Sequence, residues 1–346
     1  MTMTSTSPIY HLFVGVDIAA TSFAATWTVN GPTRHTVRTF DQTPDGFTAF
    51  QQWLSTTGIT PAATLLALEA TGSYWVRLAI TLHQAGYVVS LVNPAHAHAF
   101  AHSLPRRAKT DALDAQLLAQ FAAERQPMRW TPPEQLYHEL RQRLVVRDGL
   151  LAMRQHARNQ RHALLQWPVV IQGALDALDT VLAELETQLA TIDEAIALLL
   201  REGSWAESAP LLTSISGIGM VTTAWLLVGT LNFTACASAE AAAAYVGLVP
   251  LVRESGTSVR GRGHIGYGGH ARVRTALYMA TLTAARFNPI IRTHYERLRA
   301  AGKPPKVARC AAARKLLHVA FAVVTKKQPF DPAYRARNRQ HEQAAT

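Results

Sequence analysis

Strand-type and helix-type periodicities alternate from His11 to Pro94, and that alternation restricts the first third of the chain to an α/β architecture. The segment HLFVGVDIAATSFAATWTVNG is apolar, β-branched and aromatic, broken by a short polar turn, so it reads as two strands. TVRTFDQT follows as a third strand, PDGFTAFQQWLSTTG as a helix, TLLALEATG as a strand, SYWVRLAITLHQAGY as a helix and YVVSLVNP as a strand.

Four carboxylates sit at informative places in this pattern. Asp17 lies inside the first strand run, and Glu69 ends TLLALE, which puts it at the strand's carboxyl edge. Asp111 and Asp114 belong to AKTDALDAQLLAQFAAE, where Leu113, Leu117, Leu118 and Phe121 recur at helical spacing. A separation of three residues sets both aspartates on one helical face. Two divalent ions about 3.5–4 Å apart can clamp the attacking and leaving oxygens of a phosphoryl displacement, and hard cations demand oxygen ligands. The pattern therefore points to metal-assisted chemistry on nucleic-acid phosphodiesters. Taken singly, Asp17 is as readily a turn residue, and Asp111 with Thr110 as readily part of a helix cap. The ordered set of four carries the reading.

Charge is distributed unevenly. Of the net +11, residues 207–346 hold 19 basic and 6 acidic side chains, whereas residues 131–206 hold 7 and 10. The basic groups of the last part are mostly arginine and are interleaved with Tyr267, Tyr278, Phe287 and Tyr295, which can stack on bases. A polyanionic partner accounts for this better than a merely solubilising charge. Cys236 and Cys310 are the two cysteines and form no C-x-x-C motif, which fits a reducing cytoplasm and gives no zinc site. MTMTSTSPIYH has neither the basic start nor the apolar core of a signal peptide. The uncharged stretch from Ser208 to Ala239 exceeds the ~20 residues of a spanning helix. Pro210, Gly217, Gly219, Gly229 and Asn232 interrupt it, so two short buried helices are expected there and no membrane partner.

After WTPPEQ, helical patterns cover 134–166 and 172–201 with QWPVVIQG between them, an antiparallel hairpin or a dimerising coiled coil. Arg141, Arg143, Arg147, Arg154, Arg158 and Arg161 on the first of these form either a solvated face or a track for phosphates. In LLTSISGIGMVTTAWLLV a Gly217-x-Gly219 turn joins two apolar helices, as in a helix-hairpin-helix element whose turn amides hold a DNA phosphate; a tight packing turn is the other account. A glycine-rich segment then carries Arg253, Arg260 and Arg262, and a helix from Arg272 to Phe287 has Arg272 and Arg274 in its first turns. On residue chemistry alone Ser255 and Thr257 are ordinary turn residues. His96, His98 and His102 read as a solvated patch in a mixed segment rather than a metal site.

The order Asp, Glu, Asp-x-x-Asp, the segments GVDIA, LEATG and KTDALDA, and a distal GLVP…ESGTS…GRGHIGYGGHARVRTALY resemble the DEDD-type insertion-sequence transposases, the bridge-RNA-guided recombinases, over residues 10 to 328. The resemblance implies an α/β ribonuclease-H-like (RuvC-like) DEDD domain at 1–130 and a long helical hairpin or coiled-coil insertion at 131–206. It further implies a mainly α transposase domain with a helix-hairpin-helix-like element and a nucleophilic serine at 207–330; residues 331–346 read as a basic, disordered tail. Ser255 is the implied nucleophile, with Ser258 second. Magnesium at Asp17, Glu69, Asp111 and Asp114 would assist transfer, and Arg253, Arg260, Arg262, Arg272, Arg274, Gly217 and Gly219 would meet nucleic acid. The implied partners are donor and target DNA, an element-encoded non-coding guide RNA and further copies of the chain, as a dimer or tetramer. Serine and carboxylates, far apart in sequence, would have to meet within one protomer or across a dimer. Such a protein is expected in the cytoplasm, associated with the nucleoid. The alternatives are a RuvC-like junction-resolving nuclease that uses metal-activated water, and a non-enzymatic basic nucleic-acid-binding protein.

Overall fold

The computed structural model of the protein describes residues 10–29, 36–70, 72–104, 110–251, 263–266 and 268–333, with the backbone alone at 254–255 and 259–260. The chain divides after Pro132 into two units, Met1–Pro132 and Pro133–Thr346.

The first unit is built on a five-stranded sheet of order β3-β2-β1-β4-β5: β1 (Leu12–Ile18), β2 (Ser22–Thr28), β3 (Arg38–Asp41), β4 (Thr64–Glu69) and β5 (Val88–Val92). β1, β2 and β3 are antiparallel neighbours, while β4 runs parallel to β1 and β5 parallel to β4. The tight turn expected after Asp17 is there, closed by the Ala19 amide donating to the Ser22 carbonyl at 2.9 Å. Helix α1 (Pro44–Ser55) starts where Thr43 accepts from the Gly46 amide at 3.2 Å and Pro44 supplies a preset φ at the first turn. Helix α2 (Trp75–Gln84) follows β4.

Period-two alternation sorts the sheet's side chains. Leu12, Val14, Val16, Leu66 and Leu68 pack with Phe23, Phe47, Phe50 and Leu78, beneath α1 and α2. Phe13, Leu65 and Ala67 turn to the opposite face, onto Ala97 of α3 (Pro94–His102) and Leu118 and Ala122 of α4 (Asp111–Arg125). α4 lies so close to β1 that a Cβ on Gly15 would fall 2.0 Å from the Ala115 carbonyl oxygen and 2.2 Å from the Ala119 amide nitrogen. Glycine at that strand position is what lets the helix settle directly on the sheet.

The second unit is helical. α5 (Gln135–Leu164) and α6 (Gln172–Leu199) form the hairpin, and later residues of α5 pair with earlier residues of α6, which fixes it as antiparallel. Three of the six arginines on α5 serve this pairing. Arg147 forks onto Asp193 at 2.5 and 3.3 Å, Arg158 reaches Glu186 at 2.7 Å, and Arg161 reaches Asp179 at 2.5 Å. Each helix taken alone shows only a charged face; the complementary acids of α6 give these arginines partners that are neither water nor phosphate. The half-buried Arg147–Asp193 fork is the firmest of the three, because exposed pairs are screened.

α7 (Trp205–Thr213), α8 (Met220–Thr230), α9 (Ala239–Val246), α10 (Ala271–Phe287), α11 (Pro289–Ala300) and α12 (Pro305–Lys326) share one core with the base of the hairpin. Leu140, Leu144 and Ile196 meet Trp225, Leu227, Val246, Leu277 and Leu316 there. The uncharged stretch forms the short α7 and α8, and no helix among the described residues is long and apolar enough to cross a membrane.

Candidate active site

The alternation that sends Phe13 and Gly15 toward α4 sends Asp17 the same way, and Leu65 and Ala67 do the same for Glu69. β1 and β4 are adjacent and parallel, with Gly15 beside Ala67 and Val16 beside Leu68, so Asp17 and Glu69 emerge side by side at the carboxyl ends of neighbouring strands. Parallel sheets commonly bind ligands at that edge. α4 begins over the same edge, and its first turn carries Asp111 and Asp114. Thr110 caps it, its hydroxyl accepting from the Leu113 amide at 3.3 Å, so Asp111 and Asp114 are not needed for the cap. The helix's partial positive end faces the negative charges and offsets part of their repulsion.

The four acids act on one another. Burial first, and then the negative charges of Asp114, Asp111 and Glu69, push Asp17 up to about 6 from the ordinary 3.8, against a hydrogen bond from the Ile18 backbone that works the other way. A cleft of about 490 Å³ opens beside them, lined by Asp17, Asp111, Thr110, Ser22 and Thr39. No group of three or more His, Cys, Asp or Glu side chains among the described residues is already drawn together tightly enough to hold a metal ion. The mutual influence on Asp17 and the absence of a closed cluster are compatible, because like charges act on each other over longer distances than those at which they chelate. Oxygen donors of like charge at one strand edge suit a hard divalent cation.

One consequence is a pH-dependent cost of folding. A carboxyl whose folded pKa is raised contributes stability that is complete below its unfolded value, near 3.8, and lost as pH rises through about 6. With divalent cations chelated, Asp17→Asn is expected to raise the melting temperature at neutral pH by a few degrees at most, since Asp17 is only half-buried and partly screened, and to leave it unchanged near pH 4. Thermal melts of both proteins across that range decide it; an equal effect at both ends would mean that Asp17 is not held under repulsion.

The second unit supplies the other candidate residues. Ser255 ends β6 (Glu254–Ser255), which pairs antiparallel with β7 (Val259–Arg260), Ser255 opposite Val259. Only the backbone of Ser255 and Arg260 is described, and Arg253, Ser258, Arg262 and Tyr267 lie outside the described residues. Arg272, exposed in the first turn of α10, pairs with Asp148 of α5 at 2.9 Å. Arg274 is committed to the backbone, donating to the carbonyl oxygens of Val246, at 3.0 Å, and of Gly268. Gly217 has φ +104°, and a Cβ on it would lie 2.5 Å from that of Ala284 on α10, so this position is closed by packing. Gly219, at the start of α8, faces open space. Asp148, the partner of Arg272, is the residue that local reading misses; its only signal is an isolated acid in the arginine-rich face of α5.

Comparison with known proteins agrees with the geometry. A DEDD-type IS110 transposase family model matches residues 14–167, and the model described as the IS116/IS110/IS902 transposase family matches residues 209–296. The chain is 31% identical over 323 residues to the pilin gene-inverting protein of Moraxella bovis, covering 92% of this chain and 97% of that one, and equally so to its counterpart from Moraxella lacunata. It is 32% identical over 202 residues to the 43.6 kDa protein of insertion element IS110 from Streptomyces coelicolor, covering 57% of this chain and 50% of that one. The non-enzymatic alternative falls with these matches, and the DEDD type carries an expectation of divalent-metal dependence. The chain belongs to the IS116/IS110/IS902 family of transposases, enzymes that act on DNA.

Proposed function

We propose that this transposase is an RNA-guided recombinase that cuts and rejoins donor and target DNA through a covalent serine intermediate. The observation that carries the metal-assisted part of the reading is the gathering of Asp17, Glu69, Asp111 and Asp114 at the carboxyl edge of two parallel strands beneath a helix N-terminus; the serine step and the guide RNA rest on the resemblance of ESGTS and KTDALDA to the family's motifs. A sheet of three antiparallel strands continued by two parallel ones, with helices on both faces, supports the ribonuclease-H-like assignment of that unit. The four side chains would hold magnesium, which would stabilise charge developing on a phosphate oxygen.

The chain's own residues supply the rest. The Ser255 hydroxyl attacks phosphorus; a serine–phosphate ester forms, one P–O bond of the strand breaks, and the departing oxygen takes up a proton. Attack by a free DNA hydroxyl on that ester rejoins the strand and returns the serine. Arg253, Arg260 and Arg262 neutralise the phosphate, and Arg272 joins them once Asp148 releases it. The open Gly219 turn is a further phosphate contact, in the manner of a helix-hairpin-helix element. Gene inversion, the activity in the names of the Moraxella relatives, needs breakage and rejoining of DNA, which supports the extension to this chain.

A guide RNA would pair with donor and target while the protein reads backbone and shape, and a dimer or tetramer would handle the several strands. Guidance is tested by digesting the RNA that co-purifies with the protein. Recombination of a donor and target plasmid is expected to fall to background and to return when the same RNA is added back. Undiminished recombination by the RNA-free protein overturns guidance.

A further inference from the structure

Beyond the serine segment the basic charge concentrates elsewhere: residues 286–315 hold nine basic side chains and one acid, Glu296. They belong to the end of α10, to α11, to the turn at Lys303 and to the first half of α12, three helices that pack together. Between these helices lies a cleft of about 410 Å³ lined by Thr283, Arg286, Phe287, Tyr295, Glu296 and Arg309. That volume is in the range that encloses a small ligand, and a nucleobase turned out of its stack needs such a pocket. Phe287 is 67% exposed at the rim of this cleft, so its ring is free to stack on a ligand. Arg286, Arg309 and Glu296 form no ion pair among the described residues, although all three line the same cleft.

The acid decides what the cleft holds. A site for a phosphate alone would repel its ligand at Glu296. An unpaired base uses every group present: its face stacks on Phe287 or Tyr295, its flanking phosphates meet Arg286 and Arg309, and an exocyclic amino group donates to the Glu296 carboxylate. Cytosine, adenine and guanine carry such an amino group, whereas thymine carries none and has the N3–H as its one ring donor.

We propose that the cleft between α10, α11 and α12 captures an unpaired, amino-bearing base of a DNA strand. The proposal rests on the reading of the chain as a DNA recombinase, in which strands must unpair to be exchanged; it adds a surface separate in sequence from Ser255 and its arginines.

The test is a fluorescence-anisotropy titration of the full-length protein with labelled oligo-dC, oligo-dA and oligo-dT, a duplex of the same length, and an RNA matching the oligo-dC. Wild type is expected to bind oligo-dC and oligo-dA more tightly than oligo-dT. Phe287→Ala should weaken oligo-dC binding by about tenfold and leave the duplex unchanged. Glu296→Ala should erase the preference over oligo-dT without lowering affinity, because a negative charge is lost. Both positions are exposed, and a thermal melt checks that the variants fold.

Equal affinity of wild type for all three oligomers, or a Glu296→Ala variant that binds all three more tightly in the same proportion, would mean a phosphate in the cleft and overturn the proposal. A Phe287-dependent preference seen with RNA and not with DNA overturns the choice of DNA. The base preference persisting in a chain that never recombines DNA would sink the recombinase mechanism alone; a working recombinase without the preference would sink this site alone.

Discussion

Asp17→Asn and Asp114→Asn are each expected to lower strand exchange by about 10³-fold or more while leaving the protein folded and DNA binding close to normal. The substitution keeps side-chain volume and one accepting oxygen but replaces the other with an NH2 donor and removes the negative charge, so it isolates the part that a divalent cation needs. The fold has no reason to suffer. Asp17 is held at about 6 by burial and by Asp114, Asp111 and Glu69, and Asn at either position relieves that repulsion. Binding of a polyanion has no reason to suffer either, since a negative charge is lost. Timed recombination assays in magnesium, beside gel shifts with the same DNA, separate the two effects. Recombination at the wild-type rate in either variant would remove the four carboxylates from the chemistry. Loss of binding in step with loss of exchange would make the site a docking surface instead.

This prediction was legible in the sequence to an unusual degree, because the four acids ride on elements with strong periodicity. Counting by twos from Phe13 and from Leu65 reaches Asp17 and Glu69, so strand assignment alone put both on one face, and the helical spacing after Thr110 put Asp111 and Asp114 together. What the pattern could not state was that α4 lies on that same face. The visible trace of it is Gly15, a glycine inside a strand, where the backbone of α4 occupies the place of a side chain. α3 escaped reading because PAHAHAFAH alternates small and polar residues and buries only Ala97 and Phe100. α12 gives little helical periodicity, since Ala312, Ala313, Leu316, Leu317 and Ala320 are buried around much of its girth. Pairings between distant segments leave no local trace: Arg147 with Asp193 and Arg272 with Asp148 look, from either side alone, like solvated charges or phosphate ligands. Arg274 and Gly217, phosphate candidates by position, are engaged in packing and backbone hydrogen bonds, a use that only the fold reveals.

Ser255→Ala is expected to remove all covalent attachment of the protein to DNA, and all strand exchange with it. A serine–phosphate ester conserves the energy of the broken phosphodiester, so rejoining needs no nucleotide cofactor; hydrolysis by activated water leaves ends that the protein cannot reseal. Reactions quenched in mid-course with denaturant should therefore yield protein bound to DNA, and peptide mapping should place the adduct on Ser255. Ser255 closes the β6–β7 pairing opposite Val259, where the strand gives its backbone a defined register. The alanine variant retains the carboxylates and the arginines, so it should still bind DNA with the wild-type salt dependence. If that variant still forms the adduct, Ser258 takes over the role. If the wild-type protein cuts DNA in magnesium and never forms an adduct, the carboxylate site works with water alone, and the chain is a junction-resolving nuclease whose strands must be rejoined by another enzyme.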